Sequence, residues 1–127
     1  MSATAQKTAQ QSTIKILYGE SDEQTLSVQS AAMTKAGHHV TTALDRHGVQ
    51  EALRRDAFDL VILGATLSKD DRHHLPYMVK KSHEGTKVLV MHAGAHHHEV
   101  DAAIDPTMSM SRILEKIAAV LQPAMTR

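Results

Sequence analysis

Three short runs hold the side chains most capable of chemistry: "YGESDE" (18–23), "MHAGAHHH" (91–98) and "AIDP" (103–106). Glu20 and Asp22 are carboxylates suited to a hard cation such as Mg²⁺, and Ser21 between them is a weaker oxygen ligand. A nucleophile elbow would need a second glycine after Ser21, and none stands there. His92, Glu20 and Asp105 offer an imidazole and two carboxylates. That donor set suits Zn²⁺ or Ni²⁺ if the fold brings it together. In the run 96–98, neighbours in an extended loop point alternately, so at most His96 and His98 could serve one centre. A solvated loop explains the run more simply. His38–His39 and His73–His74 fall elsewhere, at surface or strand-edge positions.

These residues must be positioned by a chain of 127 residues, enough for one domain with a real core. Lys plus Arg equals Asp plus Glu at 14 each, so no basic excess points to nucleic acid or a membrane surface. Partners are then proteins or small ligands. The absence of cysteine excludes disulfides and thiolate metal sites and fits a cytoplasmic setting. The apolar runs are too short to span a bilayer, and the opening dozen residues lack the apolar stretch of a signal peptide. Residues 1–12 read as a disordered tail, 13–123 as the domain and 124–127 as a second tail.

Strand-like runs recur at 14–18, 38–44, 59–63 and 86–91, with a very short fifth expected at 101–104. Between them, Ser21 and Gln24 form a capping box for a helix over 22–36 that stops at Gly37. Asp45 is the expected cap of a second helix, with Val49, Leu53 and Ala57 on its buried face. A third carries Leu75, Met78 and Val79, with Pro76 in its first turns and Gly85 at its stop. The last lines up Met110, Ile113, Leu114, Ile117, Val120 and Leu121. Met33, Met78, Met108 and Met110 read as core filling. Continuously apolar strands alternating with helices predict a doubly wound α/β sandwich of three layers, with its site at the carboxyl ends of the strands. No glycine-rich phosphate loop opens any helix, which counts against a flavodoxin or nucleotide enzyme.

From residue 14 to 122 the sequence resembles the receiver domain of bacterial two-component response regulators. "KILYGESDEQTL" resembles the opening strand with its pair of acids, here Glu20 and Ser21, followed by Asp22. "DLVILGATL" resembles the strand that ends in the phosphoryl-accepting aspartate, and Gly64 stands in that place at the family interval, 64 − 20 = 44. "KVLVMHAG" resembles the fourth strand, with His92 where a Thr or Ser is usual. "AIDP" resembles the lysine–proline pair, with Asp105 for the lysine.

The resemblance implies a CheY-like, flavodoxin-like sheet of five parallel strands in the order 2-1-3-4-5. It implies a signalling module of phosphorelays, not an enzyme, with no cofactor of its own. Its partner would be a histidine kinase, a response regulator or a second copy of itself. The substitutions imply that the usual chemistry is lost. Gly64 has no nucleophile, Ser21 and His92 are poor Mg²⁺ ligands, and Asp105 repels the phosphoryl group that a lysine attracts.

The resemblance would gather Glu20, Ser21, Asp22, Gly64, His92 and Asp105 into a vestigial polar pocket. The alternative is a metal-binding or metal-sensing protein drawing on Glu20, His92, His96, His98 and Asp105, or a pH-responsive pair of histidine and carboxylate. The interval 105 − 92 = 13 is too short for the full helix that the family places between strands four and five. That helix should be shortened or missing, uncovering apolar sheet. A homodimer or other tight complex is then expected near Val90, Ala103, Ile113 and Ile117.

Overall fold

The computed structural model describes residues 14–92, 94 and 99–121. The readings made for 1–12, His96, His98 and 124–127 lie outside the described residues. The elements are β1 (Lys15–Glu20), α1 (Glu23–Lys35), β2 (His39–Leu44), α2 (Asp45–Arg55), β3 (Leu60–Leu63), α3 (Lys69–Ser82), β4 (Lys87–Val90), β5 (Ala102–Ala103) and α4 (Met110–Leu121). The strands form one parallel sheet in the order β2-β1-β3-β4-β5, as the resemblance implies. Every position of β3 is buried, because helices cover both faces of the sheet. On one face Leu17, Val61, Leu63, Val88 and Val90 pack with Val49 and Leu53 of α2 and with Leu75 and Val79 of α3. On the other, Ile16, Tyr18, Leu60, Ile62 and Leu89 pack with Leu26 and Met33 of α1 and with Ile113 and Ile117 of α4. No helix among the described residues is long and apolar enough to cross a membrane.

Several local readings are corrected. The cap of α1 is Asp22, not Ser21: its carboxylate accepts from the Thr25 amide at 2.9 Å. Asp45 opens α2 at a φ of 62° and makes no side-chain cap bond. Ala57 lies beyond the end of α2 and is exposed, and the neighbouring Phe58 is buried instead. Pro76 sits in the middle of α3, buried, while Ser68 caps that helix by accepting from the Asp71 amide at 3.1 Å. Gly37 does take the left-handed conformation that ends α1, with φ 107°.

Among the described residues no helix lies between β4 and β5, and four helices are present in all. The short β5 is held from its start by Asp101. Its amide donates to the Val88 carbonyl at 2.8 Å, and its carboxylate accepts from the Val88 amide at 2.7 Å and from Lys80 Nζ at 2.8 Å. The expected bare sheet does not result. Val88, Leu89 and Val90 are fully buried, and Val100 packs against the cluster that holds Val88 and Val90. Ile113 and Ile117 are buried on the sheet-facing side of α4. Of the four residues expected at an interface, Val90, Ile113 and Ile117 are therefore core residues, and Ala103 is half-buried.

Candidate functional site

The carboxyl ends of β1 and β3 lie side by side, with Gly19 paired to Leu63 and the Gly64 amide donating to the Gly19 carbonyl at 2.8 Å. Alternation along β1 puts Ile16, Tyr18 and Glu20 on one side of the strand, so the last inward position holds a carboxylate. Glu20 is fully buried. It does not reach outward as a cation ligand would. The Tyr18 hydroxyl donates to Oε2, and the Thr66 amide and hydroxyl donate to Oε1 at 2.9 and 2.6 Å. A buried carboxylate with this many donors is satisfied without a metal ion.

Glu20 and Gly64 occupy one another's space. A Cβ on residue 64 would lie 1.9 Å from Glu20 Cδ and 2.0 and 2.1 Å from its two oxygens. No side chain at position 64 can coexist with this arrangement of Glu20. Where an aspartate would project, the structure holds a carboxylate that comes from β1 instead.

Thr66 joins this carboxylate to the start of α1. Its hydroxyl oxygen accepts from the amides of Ser21 and Asp22 at 2.8 and 3.0 Å. Arg72 stiffens the same loop by donating to the carbonyls of Ala65 and Leu67, both at 3.0 Å. Tyr18 is buried, and its hydroxyl also lies 2.9 Å from the Gln29 side-chain amide. Burial, then the hydrogen bond to Glu20 and its charge, push the phenol far above its ordinary value, so it stays a donor.

The other expected site residues are bonded locally. Asp22 is held below the usual carboxylate range by the Thr25 hydroxyl and then by its amide. Asp105 is likewise lowered by the Thr107 amide and then its hydroxyl, at 2.9 and 2.8 Å. Both are exposed. His92 is exposed, and its Nδ1 accepts from the Gly94 amide at 3.2 Å. The structure thus joins Glu20, Gly64 and the backbone of Ser21 and Asp22. No hydrogen bond among the described residues links Glu20, His92 and Asp105 to one another. Among the described residues no three His, Asp or Glu side chains are placed to hold a metal ion.

The sequence reading missed Tyr18 and Thr66. A signal was present for Tyr18, since a phenol at an inward position needs a partner and Glu20 is two residues away. Thr66, in a loop, gave none.

No protein-family model matches the sequence, and no curated protein matches it. Solved structures do match. A two-component response regulator from Clostridium difficile superposes with a TM-score of 0.75 at 15% identity, covering 89% of this chain and 99% of that one. The chemotaxis response regulator CheY4 of Vibrio cholerae gives 0.73 at 16%, over 85% and 98%. The response regulator TrrA of Thermotoga maritima, solved with Mg²⁺ and beryllofluoride, gives 0.73 at 15%, over 84% and 98%. The chain has the fold of a response regulator receiver domain. Within a receiver fold, the end of β3 is where the resemblance places the acceptor. In this chain Gly64 stands at the end of β3, and a Cβ there would overlap the Glu20 carboxylate.

Proposed function

We propose that the chain is a receiver-fold signalling module that works in the cytoplasm by binding another protein, without taking up a phosphoryl group. One observation carries this reading: the Glu20 carboxylate stands where a side chain at position 64 would begin. A phosphoryl donor approaching β3 meets a second anion instead of a nucleophile, and no lysine balances its charge at Asp105. The Mg²⁺ that the resemblance would place here finds Glu20 already committed to Tyr18 and Thr66, with Ser21 a weak ligand beside it.

The test is incubation with acetyl phosphate and Mg²⁺ followed by intact mass measurement. No added phosphoryl group is expected, and stoichiometric addition would overturn the proposal. The partner is a histidine kinase, a true response regulator or a second copy of this chain. A homodimer is the simplest to examine, by light scattering at micromolar concentration. Its contacts would draw on exposed neighbours of the half-buried Ala103 and on the outer side of α4, since Val90, Ile113 and Ile117 are spent on the core.

A further inference from the structure

We propose that the end of β1 is an anion-binding site that carries its own anion, and that a free small carboxylate such as formate takes that place when the Glu20 side chain is cut back. The donors come from two elements, the Tyr18 hydroxyl within β1 and the Thr66 amide and hydroxyl in the loop after β3. Tyr18 and Glu20 are both 0% exposed, so bulk water competes little at their bond, while Thr66 closes the other side from an exposed position in the loop. Charge-assisted bonds are strongest in such a place. Gly64 supplies the room, since a side chain there would overlap the carboxylate. Truncation at Glu20 therefore leaves a cavity sized for one carboxylate, with its donors still aimed inward. Formate fits because it presents the same planar pair of oxygens.

The occupant also governs the neighbouring turn. The Thr66 hydroxyl has a single proton, and giving it to Glu20 turns its lone pairs toward the amides of Ser21 and Asp22. The anion thereby sets the rotor that holds the turn into α1, whose cap is Asp22. Occupancy of the site is felt at the start of that helix. This goes beyond the phosphorylation-independent function and stands on the contacts of Glu20 alone. Phosphoryl uptake at some other acid would overturn that function and leave this site unaffected.

The test compares wild type and Glu20→Ala in sodium formate and in sodium chloride of equal ionic strength. Formate at about 100 mM should raise the melting midpoint of Glu20→Ala saturably, by about 5 °C more than chloride does, and leave wild type unmoved. Amide exchange at Ser21, Asp22 and Thr66 should be faster in Glu20→Ala and slow again in formate. A folded Glu20→Ala that responds to formate no more than to chloride would overturn the site. If this variant is unfolded in chloride, recovery of its circular dichroism in formate supports the proposal. If it is unfolded in both, Glu20→Gln decides, because it fills the same volume without charge. Faster exchange of the same three amides then supports an anion site, and wild-type exchange and stability overturn it.

Discussion

At the β1–β3 half of the carboxyl edge, Glu20 is fully buried and receives hydrogen bonds from Tyr18 and Thr66. At the β4–β5 half, the side chains of His92 and Asp105 are exposed and, among the described residues, bonded to residues two positions along the chain. Both halves depart from what the receiver resemblance leads one to expect, but with different consequences. An interior position that loses its side chain leaves space that must be filled, and Glu20 fills it with a charge that then needs donors. A position at the rim needs no such adjustment, because water satisfies whatever stands there. Substitutions in the first half should therefore be coupled and costly, and those in the second independent and cheap.

The largest effect is expected from Gly64→Ala. Position 64 does not have the positive φ that would itself strain an alanine, so the cost measures the collision with Glu20 alone. Displacing a buried carboxylate from its donors should lower stability by about 3 kcal/mol or more, read from urea denaturation. Thr66→Val should come next, at about 2–3 kcal/mol. It removes a donor to Glu20 and the acceptor for the amides of Ser21 and Asp22, and the exchange of those two amides should rise with it.

Asp101→Ala should cost about 1–2 kcal/mol, since it removes the counter-charge of the partly buried Lys80 and the side-chain acceptor of the Val88 amide. The loss shows that the second half of the edge is anchored from the amino end of its strands, below the rim. At the rim itself, His92→Ala should change stability by less than about 0.5 kcal/mol. A large loss there would break the contrast between the two halves.

Acid titration should show one small feature common to both halves. Asp22 and Asp105 have folded-state values below the ordinary 3.8, through their hydrogen bonds to Thr25 and Thr107 respectively. Each therefore contributes stability that is fully present above 3.8 and lost as pH falls through the folded value. Asp22→Asn or Asp105→Asn should each lower stability slightly near neutral pH and flatten the profile below pH 4, so that the variant converges on wild type in acid. A variant that matches wild type at neutral pH and departs from it only in acid would reverse the assignment.

Much of the fold was legible because β3 is a continuous apolar run between helices of recognisable period. A buried parallel strand cannot be written another way without exposing or stranding polar groups. The capping of α1 was misplaced by one residue because Ser21 and Asp22 are both competent caps. The choice falls to a contact 45 residues away, the Thr66 hydroxyl that binds the Ser21 amide. The site was legible only as a loss. Gly64 announced the missing acceptor, but composition and spacing carry no sign of which neighbour moves into the space. The uncovered sheet was misjudged for a related reason, since Val100 and Asp101 secure β4 and β5 through packing and pairing that periodicity in so short a segment does not encode.

The central claim is that the Glu20 carboxylate occupies the space of a side chain at position 64, and a double-mutant cycle reads it directly. Gly64→Ala is introduced into wild type and into Glu20→Ala, with stability measured by urea denaturation in formate-free buffer. In the Glu20→Ala background the methyl group should cost little or even stabilise by filling the cavity, giving a coupling energy of about 2–3 kcal/mol. Additive costs, with Gly64→Ala as damaging without the Glu20 carboxylate as with it, would contradict the account.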